Sequence, residues 1–258
     1  MDSSLTETIW FSKKRRKILL LLLDGPKTPE EMKKAFGVAW RSLILPLKEL
    51  KEAKLVCNPE ETYELSYIGK LIAETVKPIN GIIKLFEKDT DYWVKRKLDS
   101  IPEHLLDRIG EIEDCIIAEP GLNDMFELPV EFTEGLMHSK HVHSIFSIYH
   151  PLYPPLYSKL AEKGIEVSIV LTQSVLQRMI EDRNKELQEM RDSENTKLFL
   201  YEKELCPPSI VVTDYLFLAS FFNFSGMYDH RDIMGFSQSS LLWGEEMVLH
   251  YKNMSTEI

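Results

Sequence analysis

The 258-residue sequence predicts a mixed α/β protein in two parts: a small helical module carrying a short hairpin, then a larger α/β domain with a central sheet covered by helices. Charge is the first sign of two parts. Residues 1–80 hold 14 Lys+Arg against 11 Asp+Glu, the remainder holds 17 against 30, and the whole carries −10. A basic part followed by an acidic one points to nucleic acid as the partner of the first. The second sign is order: three helical stretches precede two short β-like ones, and from residue 91 apolar β-like runs alternate with helices, as in a sheet with helices on its faces. A chain of this length also favours two domains.

Residues 5–23 read as one helix, apolar on one face and stopped by Asp24-Gly25-Pro26. Thr28 before Pro29-Glu30-Glu31 supplies an N-cap, a proline at the first helical position and acidic residues in the first turn, so a second helix covers 29–36 and ends at Gly37. Leu43, Leu47 and Leu50 recur at helical spacing in a third, over 39–53, which Pro46 should bend. Residues 55–57 and 62–65 form a hairpin about Asn58-Pro59-Glu60-Glu61. Three helices and a hairpin in this order are a winged helix-turn-helix. Residues 70–90 then read as a connector and dimerisation helix, bent near Pro78 and Gly81.

In the second part, helices are expected over 102–114, 123–139 with a break near Pro129, 153–163, 173–191 and 239–253. Strands are expected over 115–118, 142–149, 165–171, 197–201, 210–213 and 216–222. The domains are therefore 1–69, a winged helix-turn-helix for DNA; 70–90, the connector; and 91–258, an α/β effector-sensing domain.

Two resemblances attach to these segments. The stretch LKELKEAKLV, residues 47–56, resembles the "LkeLeeaGLV" signature of ArsR-like winged-helix regulators, with Lys54 where those families place glycine. The stretch YELSYIGK, residues 63–70, resembles the "Y-x-L-T-x-x-G" segment that closes their wing. In the second part, YWVKRKLDSIPEHLLDRIGEIED, FSIYHPLYPPLYSKLAEKGIEVSIVLT and FFNFSGMYD with LLWGEEMVLHYK resemble methanogen regulators of the FilR methanogenesis-regulatory family. The resemblance implies an archaeal transcription factor with an effector-type C-terminal domain.

A recognition helix needs polar groups for base edges and cations for phosphates on the face its core leaves free. Arg41, Ser42 and Lys48 lie on that face, with Arg41 placed for a guanine contact. Lys13, Lys14 and Arg15 open a basic run suited to phosphates or to solvent. Glu60 and Glu61 make the wing tip repulsive to DNA. A small-molecule effector is expected where strands end in aromatic and polar residues: Tyr149, His150, Tyr153, Thr172, Asp214, Phe221, Asn223, Tyr228 and Asp229. Each of these fits a core or surface role as well.

His138, His141, His143 and His150 form the one metal-like cluster, without a nearby cysteine or carboxylate, and keep a metal-responsive repressor open. His138-Ser139-Lys140 begins an H-x-K-x4-D phosphodiesterase signature, but Ile145 occupies the aspartate position. No P-loop, dinucleotide fingerprint or G-x-S-x-G elbow is present, so neither an enzyme nor a cofactor is expected. Cys57, Cys115 and Cys206 are odd in number and dispersed, which fits a reducing cytoplasm. The apolar run 18–23 falls far short of the ~20 residues of a membrane span. The expected partners are operator DNA, a small effector and a second copy of the chain. The alternative is an adaptor that uses the winged helix for protein docking.

Overall fold

A computed structural model describes residues 4–121, 124, 127–203 and 206–258. The chain divides into two compact units, Met1–Asn80 and Gly81–Ile258.

The first unit is a winged helix-turn-helix. Its helices are α1 (Leu5–Trp10), α2 (Lys13–Leu22), α3 (Pro29–Phe36) and α4 (Arg41–Glu52), followed by strands β1 (Val56–Cys57) and β2 (Glu64–Leu65). The single helix expected over 5–23 is two, because Ser12 leaves the helical region at φ −133° and its Oγ accepts from Arg15 N to start a new helix. Helix α3 has the expected N-cap at Thr28, and Glu31 returns a bond to the Thr28 backbone to make the cap reciprocal. Ile18, Leu19 and Leu22 of α2, Met32 of α3 and Leu43, Leu47 and Leu50 of α4 close one buried core. Pro46 does not interrupt α4. Lys27 and Tyr63 exchange backbone hydrogen bonds at 2.9 and 2.8 Å, an isolated bridge that ties the segment before α3 to the wing.

The turn into the wing explains the motif read at residues 63–70. Lys54 adopts φ 61°, the left-handed region that glycine tolerates best. Ser66 Oγ donates to Lys54 O at 2.6 Å and accepts from Gly69 N at 3.0 Å, tying the turn to the next helix. A Cβ at position 69 would lie 1.9 Å from the Leu55 carbonyl oxygen, so the backbones can approach only with glycine there.

Helix α5 (Tyr67–Lys88) runs without a break through Pro78 and Gly81, where an interruption is expected from sequence. It is followed by α6 (Thr90–Trp93), α7 (Glu103–Leu106) and a 3-10 turn at Ile109–Ile112. The helix expected over 102–114 is thus two short pieces, parted at Arg108, whose backbone sits at φ −105°, ψ 12°. Then come β3 (Ile116–Ala118), α8 (Val130–His138), β4 (His141–Phe146), α9 (Tyr153–Glu162), β5 (Glu166–Thr172), α10 (Gln173–Asp192) and β6 (Thr196–Tyr201). The domain closes with β7 (Ser209–Thr213), β8 (Phe217–Ser220), β9 (Asp232–Gly235), α11 (Gln238–Lys252) and β10 (Thr256–Glu257). Strands β9 and β10 and helix α6 are additions to the sequence reading. The helix expected from residue 123 begins at Val130 after Pro129, and Asn123 lies outside the described residues.

Among the described residues the sheet has eight strands in the order β10-β6-β5-β4-β7-β8-β9-β3. β4, β5 and β6 are parallel neighbours joined through α9 and α10, and the remaining pairs are antiparallel. Side chains alternate between its faces. Ile145, Val170, Val212 and Phe217 meet Trp243, Met247 and Tyr251 of α11 on one face. Phe146, Ile169, Leu171 and Val211 meet Tyr157, Leu160, Leu176 and Met179 of α9 and α10 on the other. Burial on both faces is why Ile169, Val170 and Leu171 of β5 are apolar in succession.

Candidate functional site

The first candidate surface is the outward face of α4. Leu43, Leu47 and Leu50 turn inward, while Arg41, Ile44, Leu45 and Lys48 are exposed. Ile44 and Leu45 are 51% and 62% exposed, large for apolar groups on a helix with a core of its own. Lys48 Nζ lies 3.7 Å from Glu52 Oε1, an exposed pair of little energetic weight. Ser42 is half-buried and its Oγ donates to Ala39 O at 2.9 Å.

The basic run at the start of α2 is arranged otherwise than the sequence suggests. Arg15 pairs with Glu49 and donates to the carbonyls of Thr8 and Glu7, so its side chain is largely enclosed. Lys14 Nζ donates to Ser42 O at 3.3 Å. Arg16 donates to Asn80 Oδ1 and Trp10 O at 3.2 and 3.1 Å. Lys13 remains exposed, whereas Lys14 and Arg15 hold the module together. At the wing tip Glu60 and Glu61 both have positive φ, 46° and 67°.

The second candidate is a cavity of about 530 Å³ in the α/β domain. It lies at the carboxyl end of β4, where the chain leaves the sheet through Ile148 to Pro151. Successive antiparallel pairings from β4 to β9 bring the start of β9, with Asp232, to that same end. Tyr149, His150, Tyr153 and Tyr228 line it, as expected from sequence, with Phe132, His230 and Asp232 in addition. Asp232 Oδ1 accepts from Ser220 Oγ at 2.6 Å and from Tyr228 OH at 2.9 Å. Burial pushes its carboxyl above the usual carboxylate range, against those hydrogen bonds and the charge of His230. Burial, then His230, lowers His150. Tyr153 stacks on Phe146 at 4.9 Å, and burial raises its phenol.

The other five residues proposed for this pocket from sequence lie elsewhere. Thr172 Oγ1 donates to Phe146 O, and Asp214 Oδ1 accepts from Lys140 N. Phe221 is fully buried in the core beneath α11. Asn223 Oδ1 accepts from Ser225 N and Met227 N and shapes a turn. Asp229 takes a bidentate ion pair from the buried Arg96 at 2.9 and 2.6 Å, and Arg96 lies 3.8 Å over the Tyr92 ring. Burial opposes ionisation of Asp229, but the hydrogen bonds and charge of Arg96 outweigh it and hold the carboxyl below its ordinary value.

The histidines separate as well. His138 Nδ1 sits 2.8 Å from Glu134 O on α8, His141 and His143 share a face of β4 with rings 5.0 Å apart, and His150 belongs to the cavity. His141 Nε2 lies 3.5 Å from Glu245 Oε1. Among the described residues no three His, Cys, Asp or Glu side chains gather as a metal site. Among them, too, no helix is long and apolar enough to cross a membrane.

A winged helix-turn-helix with an outward-facing α4, followed by an α/β domain with its own cavity, is a two-part architecture matched along its length by one family of regulators. Residues 125–254 match the family model described as "Methanogenesis regulatory protein FilR1, middle domain", and residues 7–84 match "Methanogenesis regulatory protein FilR1, N-terminal domain". The first match alone covers half of the chain, and the chain belongs to the FilR1 methanogenesis regulatory protein family. It is 19% identical over 246 residues to the methanogenesis regulatory protein FilR1 of Methanothrix harundinacea (strain 6Ac), across 93% of this chain and 55% of that one. The chain thus spans about half the length of the curated relative it matches. A solved structure, "TrmBL2, an archaeal chromatin protein", described as showing "a novel mode of DNA binding", is similar over 93% of this chain and 92% of that chain, with TM-score 0.44 and 12% identity.

Proposed function

We propose that this chain is a dimeric, DNA-binding transcription regulator whose α/β domain holds a small effector that shifts operator affinity. The observation that carries the reading is the outward face of α4. Arg41 stands at its first turn, where a guanidinium fork can read guanine, and Lys48 lies two turns on, suited to a phosphate. Ile44 and Leu45 between them offer apolar contact to thymine methyl groups. The acidic wing tip argues that α4, rather than the wing, makes the base contacts.

Dimerisation follows from operator geometry, since one helix reads too few base pairs for a specific site. Ile68, Leu71 and Ile79 leave an apolar stripe on the outward face of α5 that suits a second copy. Effector binding would then favour one spacing of the two recognition helices over another. A footprint on the chain's own upstream DNA tests this: two protected half-sites about 34 Å apart are expected. One protected segment, or protection without periodicity, contradicts the dimeric reading.

One observation favours a second reading. Ile44 and Leu45 would equally suit an apolar protein partner, with α4 as a docking helix of an adaptor. The footprint separates the two, because an adaptor protects no DNA.

A further inference from the structure

The cavity at the end of β4 has walls charged with one sign. Asp232, Glu119 and Glu127 face it, and among its described lining residues there is no lysine or arginine. Glu119 is shared with Arg231, whose Nε lies 3.2 Å from Oε2 behind the wall. Asp232 takes no ion pair from a lysine or arginine among the described residues, and the positive charge that acts on it is that of His230. Its hydrogen bonds come from Ser220 and Tyr228, which are neutral hydroxyl donors, and Oδ2 takes only the shared Tyr228 proton at 3.0 Å. A carboxylate offers about four acceptor positions, so Oδ2 retains room for another donor.

The rest of the wall is apolar and partly aromatic, with Leu128, Ile148 and Leu218 beside the rings. Phe132, Tyr149, Tyr153 and Tyr228 present ring surface to the same space, and such rings attract cations to their faces. A buried carboxylate that among the described residues takes no ion pair from a lysine or arginine, and has only the charge of His230 acting in its favour, would be stabilised further by a cation in this space of about 530 Å³. Carboxylate or phosphate ligands would add like charge to three acidic groups. His150 and His230 are the histidines of the wall, and burial holds His150 toward its neutral form.

We infer that the cavity binds a small organic cation, an ammonium-bearing molecule with an apolar or aromatic body, and that Asp232 is its counter-charge. The inference rests on the reading of this cavity as the effector site and adds the chemistry of the ligand. The ammonium would donate to Asp232 Oδ2, and the body would lie against Tyr153 and Phe132.

Three probes of one shape and different charge test it on the full chain by calorimetric titration: 2-phenylethylammonium, 2-phenylethanol and 3-phenylpropanoate. The ammonium is expected to bind and the carboxylate not to. Asp232→Asn should weaken the ammonium by about tenfold or more. Glu127→Lys, on the exposed rim, should weaken it several-fold with the circular dichroism unchanged, and it serves even where the Asp232 variant does not fold. Binding of the alcohol or the carboxylate as tightly as the ammonium would overturn the cationic ligand and leave the cavity as an effector site. An unchanged ammonium affinity in Asp232→Asn would overturn the role of Asp232. Failure of all three probes at millimolar concentration would overturn the cavity reading itself.

Discussion

Lys14 Nζ donates to the carbonyl of Ser42, the one carbonyl of α4 that Pro46 deprives of its backbone donor. A helix bonds each N–H to the carbonyl four residues back, and proline has no N–H to give. The lysine therefore repairs from α2 a defect that the sequence places in α4. Lys14→Met should destabilise the protein by about 1 kcal/mol, the usual worth of such a bond. Pro46→Ala restores the backbone bond, and in that background the same lysine change should cost much less. Denaturant unfolding of the two single variants and the double variant measures the coupling; additive effects would show that the lysine acts elsewhere.

Lys54 holds a positive φ that suits glycine. Lys54→Gly should raise stability by about 1 kcal/mol, the strain relieved being partly offset by glycine's freer unfolded chain. A thermal melt checks it, and a lower melting temperature would mean that the lysine stem packs usefully at the turn.

Arg96 and Asp229 form the ion pair at the rim of the α/β domain, with Arg96 fully enclosed and the Asp229 side chain 36% exposed. Asp229→Asn leaves a buried guanidinium half-satisfied and should cost about 2 kcal/mol, less than a fully buried pair because Asp229 remains partly in water. The pH dependence has a definite sign. The folded carboxyl titrates below its unfolded value, so the pair's contribution is complete above that unfolded value of about 4 and is lost as the pH falls through the lowered one. The gap between wild type and variant should accordingly close in acid. A constant gap from neutral pH down to about 2, below the unfolded value, would contradict the assignment.

Arg41 and Arg15 should separate function from architecture. Arg41→Ala is expected to lose about 1–3 kcal/mol of specific DNA binding with stability unchanged. Arg15→Ala loses its pair with Glu49 and two carbonyl contacts, so it should lower the melting temperature first. Equal loss of DNA affinity at matched stability would return Arg15 to the binding surface.

Local rules made the winged helix legible. Thr28, Pro29, Glu31 and Gly37 punctuate α3, and three leucines set the inner face of α4. Ser12 escaped because apolar periodicity continues across the cap it makes. The basic run shows a different limit: sequence shows that five cations are adjacent, but not that Glu49 and the Ser42 carbonyl reach across from α4 to two of them. In the α/β domain the parallel strands announce themselves by burial on both faces. Strand β9 is four residues long and follows a polar turn, so Asp232, which the folded sheet carries to the cavity, was invisible as a site. Tyr149, His150, Tyr153 and Tyr228 line one cavity, and strand-end aromatics are a local signal of such a grouping. Asp229, three positions from Asp232, was instead drawn to Arg96, a partner 133 residues away.

The most direct measurement is a titration of the purified chain against its own upstream DNA and against random DNA of equal length, at two salt concentrations. Binding that prefers the upstream fragment and weakens with salt, as phosphate contacts release counterions, is the expected result. Equal affinity for both fragments at both salt concentrations, or none for either, would contradict a DNA-reading role for α4.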